Sequence, residues 1–192
     1  MTIATHLIWT TYGTWLPGDD RGHWSPLFDM YGHLLKKGHR LNIPDETTQR
    51  RALAAMKEPP KSLNGQEAAI TADVIGKIID GIPVGRFTPG KPGAICRAFA
   101  LAIEPTHVHL LIGPLSEDLR PTVGRIKGVS SSLILGMPHN ASRERTWTAD
   151  FWRVFLYDWE GLDAVYRYII DHNVRAGRPA HPWPFTHAPR FS

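Results

Sequence analysis

The sequence of 192 residues contains one cysteine, Cys96, so an internal disulfide and a cysteine-rich zinc site are both excluded. A lone cysteine is typical of a reducing compartment, and we expect a cytoplasmic protein. No stretch approaches the roughly twenty apolar residues of a membrane span. The opening MTIATHLIWTTYGTW lacks the basic start and apolar run of a signal peptide. No GxxxxGK(S/T) motif occurs, so we expect no phosphate-binding loop for ATP.

The composition that remains is that of an ordinary globular protein. Hydrophobic residues make up 42% and charged residues 21% of the chain, which is enough for a packed core. The length fits one domain with insertions. The net charge of +4 and a pI near 9.4 are compatible with a polyanionic partner, but a merely soluble basic surface explains them equally well.

Periodicity and turn residues predict the elements of secondary structure. Strands are predicted at 5–11, 94–103, 107–113 and 152–157. Helices are predicted within PDETTQRRALAAMKEPP and at 65–81, about 119–136 and about 160–175. The order of these elements is that of the split βαβ arrangement. We therefore predict an α+β, ferredoxin-like fold with helices packed on a central antiparallel sheet, plus a C-terminal helix.

The strand within EPTHVHLLIGP carries two histidines in an otherwise apolar context. His107 and His109 are two residues apart, so their side chains emerge on the same face of the strand. Two imidazoles at this spacing can chelate one divalent metal ion. The alternative is a pair of half-buried polar side chains that bond to their neighbours.

The last predicted helix supplies further candidates. Tyr168 and His172 are four residues apart and share a helix face, whereas Tyr166 lies about 200° around the helix from Tyr168. His172 can serve as the third ligand of a metal held by His107 and His109, with Tyr168 one turn away. Two other readings stay open: His172 interacts with the helix C-terminus, or Tyr168 is a core residue with a bonded hydroxyl.

These residues carry a resemblance to a known family. PTHVHLLI resembles the histidine-hydrophobic-histidine (HUH) motif of single-strand DNA transposases, and RYIIDHNVRAG resembles the tyrosine segment of REP-associated tyrosine transposases, which belong with the IS200-like transposases. RIKGVSSSLI, WPFTH and TYGTWLPGDDRG resemble further segments of the same proteins. The resemblance is weakest across 30–90. It implies one HUH transposase-like domain over 1–192, with an insertion at about 17–64 and a Pro-rich tail from about 178.

The resemblance implies an activity and roles for individual residues. The family nicks and rejoins single-stranded DNA at the foot of hairpins. Tyr168 would be the nucleophile that forms a 5′-phosphotyrosine, and His107, His109 and His172 would hold the metal. An imidazole-rich ligand set alone suggests Zn, Mn or Ni. The family is associated with Mg or Mn, and by this resemblance we expect Mg or Mn.

Two positions depart from the family pattern. A match without gaps through Arg175, Ala176 and Gly177 places His172 where the family commonly has asparagine or glutamine. The same match places Asn173 where the family commonly has proline. If the helix is shifted by one residue, Asn173 becomes the ligand candidate in place of His172.

The expected partner is single-stranded or hairpin DNA, and no membrane partner is expected. The predicted nucleic-acid contacts are basic residues spread along the chain: Arg21, Arg120, Arg125, Lys127 and Arg153. A homodimer and a monomer both fit the sequence. Two other functions stay open: a domesticated, non-cutting protein that binds nucleic-acid hairpins, and a metal-dependent hydrolase that uses only His107 and His109.

Overall fold

The described elements of secondary structure follow the predicted order. The structure is a computed structural model that describes residues 1–16, 46–90 and 93–189. Within these ranges the strands are β1 (Ala4–Thr10), β2 (Ala98–Ile103), β3 (His107–Ile112) and β4 (Trp152–Leu156). The helices there are α1 (Glu46–Ala54), α2 (Gly65–Ile79), α3 (Leu119–Leu135) and α4 (Trp159–Arg175), and a short 3₁₀ helix spans Pro138–Asn140.

One antiparallel sheet connects all four strands in the order β2–β3–β1–β4. This order and the alternation with helices confirm the predicted α+β class. Two predicted boundaries differ. α1 ends at Ala54, short of Pro59 and Pro60, and β2 begins at Ala98 because the preceding segment turns to α2, where Ile95 N–H donates to Ile79 O.

Alternation along the strands gives the sheet two different faces. Leu7 of β1 and Val108 and Leu110 of β3 belong to a large core that also contains the apolar stripes of α2 and α3. Leu111 of β3 belongs to a second, smaller core with Leu162 of α4. Helices therefore cover both faces, and α4 lies on the face opposite α2 and α3.

Small side chains bring α4 close to its face of the sheet. Ala4, Ala100 and Ala102 are buried there beneath the helix, where larger residues would hold the helix farther away. Asn173 of α4 then fixes the helix, because its Nδ2 donates to Leu101 O and to Ala180 O, both at 3.0 Å.

The Pro-rich tail covers the outer edge of β2. Thr186 forms a parallel bridge with Ala98, and His187 N–H donates to Ala98 O at 3.0 Å. Phe185 packs against Gly76 of α2, where an added Cβ would lie 2.6 Å from the ring. An edge strand with unpaired backbone groups invites aggregation, and the tail removes that exposure along part of β2.

No helix in the described ranges is both long enough and apolar enough to cross a membrane.

A buried ionic network joins α2 to the 3₁₀ helix. Glu67 is 0% exposed and accepts hydrogen bonds from Lys61 Nζ and from Asn140 Nδ2, and Lys61 Nζ also donates to Asn140 Oδ1 at 3.1 Å. Burial by itself raises the pKa of Glu67. The hydrogen bonds from Asn140, Lys61, Asn64 and His139 outweigh burial and lower that pKa to about 2.

We predict that Lys61→Met lowers the free energy of unfolding by about 3–5 kcal/mol, because the Glu67 carboxylate then stays buried without its ammonium partner. Urea denaturation measures the loss. The matched control is Lys77→Met, which removes an exposed pair with Asp73 and should cost less than about 1 kcal/mol. Equal losses of unfolding free energy in Lys61→Met and Lys77→Met would contradict the role of Lys61 as the buried partner of Glu67.

Candidate functional site

Three histidines gather between the sheet and α4. His107 and His109 project from β3, and His172 projects from α4, so that one ligand nitrogen from each lies within 4.8 Å of the others. Three nitrogens bound at about 2.1 Å to one ion in tetrahedral geometry lie about 3.4 Å apart, so small side-chain movements would bring the three histidines onto one ion. No other group of three or more histidine, cysteine or carboxylate side chains with this spacing occurs in the described ranges.

The two nitrogens of His109 have different surroundings. Nδ1 lies 3.0 Å from Nε2 of His6, a residue of β1. Nε2 is buried and has no hydrogen-bond partner among the described residues. A buried polar atom without a partner is costly unless a ligand satisfies it. The donor set and this unsatisfied nitrogen therefore fit a divalent metal ion.

The third histidine of the cluster is His172. The ring centroid of His172 lies 4.8 Å from that of His109 and 5.8 Å from that of His107. Asn173 is turned to the sheet: its Nδ2 donates to Leu101 O and to Ala180 O, and its buried Oδ1 has no hydrogen-bond partner among the described residues. The position of His172 agrees with the match to the family pattern without gaps, in which His172 is the ligand candidate.

Tyr168 lies against the same cluster. Its ring meets His172 edge-on at 4.7 Å and His109 edge-on at 5.3 Å between centroids. The side chain is nevertheless 48% exposed, so it is not a core residue. Burial raises the pKa of the Tyr168 phenol, and the charge of Arg175 partly opposes this, so the phenol is protonated at neutral pH.

Tyr166 occupies a different face of α4. Its hydroxyl lies 2.7 Å from Nε2 of His181 in the tail. Tyr168 and Tyr166 thus have separate environments, as their angular separation on the helix requires. Only Tyr168 lies beside the histidine cluster.

The segment after β1 also reaches the cluster. The ring of Trp15 lies 5.4 Å from that of His107. Trp15 has φ +55°, a left-handed conformation that is uncommon for residues other than glycine. Arg21, a predicted DNA contact, lies outside the described residues.

The predicted basic contacts on α3 lie on the other face of the sheet from the cluster. Lys127 is largely buried, and its Nζ donates to Ala149 O and Asp150 O at 2.9 Å each. Burial lowers the pKa of Lys127 to about 8, although the charge of Asp150 raises it. The Lys127 ammonium is therefore held inside the fold by two backbone carbonyls.

The three arginines among the predicted DNA contacts in the described ranges have different surroundings. Arg125 pairs with Glu117, and its guanidinium lies 5.2 Å from the centroid of the Phe87 ring. Arg120 on α3 is 77% exposed and lies 3.8 Å from Asp150. Arg153 on β4 contacts the ring of Phe155 at 6.0 Å. Arg120 and Arg125 lie on α3, which packs on the face of the sheet opposite the histidine cluster.

His6 is a residue of the site that sequence reasoning missed. It is 6% exposed and belongs to the same face of the sheet as His109. Its one signal in the sequence is an imidazole within the apolar strand THLIWTT, where it lacks the second histidine two residues away that identified His107 and His109.

Burial lowers the pKa values of His6 and His109 and so keeps these two imidazoles neutral. Desolvation, with the nearby charge of His172, lowers the pKa of His6 to about 4. Desolvation and the neighbouring histidines lower the pKa of His109 to about 2. Neutral imidazole is the form that binds metal, so His109 stays able to bind an ion well below neutral pH.

Comparisons with known proteins find structural neighbours only. No protein-family model matches the chain, and no curated protein matches it. The chain is similar to a REP-associated tyrosine transposase solved in complex with a REP hairpin, with 13% identity, a TM-score of 0.47 and coverage of 96% of this chain and 76% of that chain. It is also similar to a "putative transposase" from Deinococcus radiodurans R1, with 15% identity, a TM-score of 0.38 and coverage of 90% and 92%. The first neighbour is described as a tyrosine transposase and the second as a putative transposase.

We predict that the metal-free protein loses stability as the pH falls from 6.5 to 5. The unfolded chain binds protons on His6 and His109 near their ordinary pKa of 6.5, whereas the folded protein binds them only at lower pH. The free energy of unfolding should therefore fall by about 1–2 kcal/mol for each of the two histidines over this interval.

Urea denaturation with EDTA at pH 6.5, 6.0, 5.5 and 5.0 measures this loss. His6→Gln removes one of the two titrating groups, so its stability should depend less steeply on pH. Curves of equal steepness for the wild type and His6→Gln would contradict the prediction.

Proposed function

We propose that the protein is a metal-dependent, transposase-like enzyme that nicks and rejoins single-stranded DNA at hairpins through a 5′-phosphotyrosine on Tyr168. The observation that carries the proposal is the contact of the half-exposed Tyr168 ring with His109 and His172. The phenol is thus open to a DNA strand on one side and borders three potential metal ligands on the other.

The chemistry requires one covalent exchange at phosphorus. Tyr168 Oη attacks the scissile phosphate, the bond from phosphorus to O3′ breaks, and the phenolic proton is lost while O3′ leaves as a hydroxyl. The reverse attack by a 3′-hydroxyl releases Tyr168 and joins a new DNA end. The phosphotyrosine retains the energy of the cleaved bond, so joining needs no ATP.

The protein has to assist a poor nucleophile. The raised pKa of Tyr168 keeps the phenol protonated at neutral pH, and Arg175 is the nearby charge that favours the phenolate. A divalent ion held by His107, His109 and His172 would polarise the phosphate and neutralise the charge that builds there. Mn²⁺ suits both the imidazole donors and the metals associated with the resembling family, and it is the first ion to test.

We predict that Tyr168→Phe abolishes covalent attachment of the protein to DNA while binding stays within about twofold of the wild type, since one exposed hydroxyl is lost. The protein is incubated with Mn²⁺ and a pool of single-stranded hairpins with randomised flanks. The protein–DNA species that survives denaturation is then quantified on denaturing gels. A covalent species formed by Tyr168→Phe would disprove the assignment of the nucleophile.

Tyr166→Phe is the matched control on the same helix. It removes the hydroxyl that bonds His181 and leaves the histidine cluster untouched. We expect its covalent yield to match that of the wild type.

Two other outcomes would identify the alternative functions. Tight hairpin binding by the wild type without any covalent species would indicate a domesticated, non-cutting binding protein. Turnover of small phosphate esters that needs the metal but is unchanged in Tyr168→Phe would indicate a hydrolase.

We predict that Arg120→Ala weakens hairpin binding at low salt and reduces the slope of log affinity against log salt by about 1, as the loss of one phosphate contact does. Fluorescence anisotropy from 50 to 200 mM salt measures the slope. Lys127→Met is the control, because the Lys127 ammonium is engaged by backbone carbonyls. An unchanged slope in Arg120→Ala would remove Arg120 from the proposed DNA surface.

A further inference from the structure

We propose that His6 is a positioning residue, which holds His109 in the one tautomer that presents Nε2 to the metal ion. The inference rests on the metal site of the proposed function. It concerns a residue on a different strand from His107 and His109, outside the motifs that resemble the family.

The sheet register brings the two histidines together. His6 on β1 lies opposite Leu111, and His109 lies opposite Ile8, so His6 and His109 are diagonal neighbours on one face. Their rings are 5.2 Å apart between centroids, and His6 Nε2 lies 3.0 Å from His109 Nδ1. Both side chains are buried, with exposures of 6% for His6 and 2% for His109.

A hydrogen bond between two neutral imidazoles contains one proton, and its position decides whether His109 can bind metal. With the proton on His109 Nδ1, the lone pair of His109 Nε2 remains for the ion, and His6 Nε2 acts as the acceptor. With the proton on His6 Nε2, neutral His109 carries its own proton on Nε2 and offers no lone pair there. Only the first arrangement fits a ligand role for His109.

Because His109 is buried, its tautomer depends on the hydrogen bond with His6. Its Nε2 has no hydrogen-bond partner in the described part of the chain, so no protein group there opposes the metal-binding tautomer. His6 also fixes the plane of the His109 ring. Outer partners of this kind orient metal-bound histidines, and their loss typically weakens metal binding by about 10–100-fold.

The test compares two substitutions of His6 in the full chain without DNA. His6→Gln keeps an acceptor oxygen near the position of Nε2, whereas His6→Leu has similar size and no acceptor. Isothermal titration with Mn²⁺ should give binding about 10–100-fold weaker for His6→Leu. Binding by His6→Gln should stay within about threefold of the wild type, because the acceptor for His109 Nδ1–H is retained.

His181→Leu is the matched control. It removes a histidine that bonds a tyrosine of α4 at a distance from the cluster, and we expect Mn²⁺ binding equal to that of the wild type. Thermal unfolding of every variant separates loss of the ion site from loss of the fold.

A second measurement does not depend on any variant folding. Imidazole ¹⁵N chemical shifts of the metal-free wild type should show His109 protonated on Nδ1 and His6 protonated on Nδ1. Protonation of His109 on Nε2 would overturn the inference, and so would a folded His6→Leu that binds Mn²⁺ as tightly as the wild type.

The same experiments separate this inference from the proposed function. If the wild type binds Mn²⁺ but never attaches to DNA, the enzyme proposal fails, and the comparison of His6→Leu with His6→Gln still decides the role of His6. If the wild type binds no Mn²⁺, the metal site and the role of His6 both fail.

Discussion

The candidate site depends on the close approach of α4 to one face of the sheet. The small side chains of Ala4, Ala100 and Ala102 line that face, so the helix can come near the strands. Asn173 then ties the helix to the edge strand through Leu101 O. Because this bond fixes the rotation of α4 about its axis, it also decides that His172 and Tyr168, and not their neighbours, meet the histidines of β3.

The same face carries an energetic cost that a metal ion bound to the candidate site would offset. Buried imidazoles with lowered pKa values and an unsatisfied His109 Nε2 stabilise the fold less than apolar residues would. Local conflicts of this kind are expected at functional sites, where a ligand supplies the missing contact. On the opposite face α2 and α3 cover the sheet with apolar side chains, Lys127 serves as an internal contact, and Trp9 Nε1 is also buried without a partner among the described residues.

Much of the fold was accessible from the sequence because its signals are local. The period of two residues along β3 placed His107 and His109 on one face, and the period of 3.6 along α4 paired Tyr168 with His172 and set Tyr166 apart. Boundaries were less accurate where tertiary contacts decide them, as at the start of β2, where the chain bonds to Ile79 before it joins the sheet. The interior position of Lys127 could not be predicted, since its partners are backbone carbonyls near β4.

The sequence by itself determined which side chains share a strand face or a helix face, since these relations follow from backbone periods over a few residues. Only the tertiary structure decided which faces meet. It brought His172 beside His107 and His109 through the packing of α4 on the sheet, and it brought His6 to His109 through the register of β1 against β3. Such relations join distant parts of the chain, and they are set by the packing of the whole sheet rather than by any local pattern.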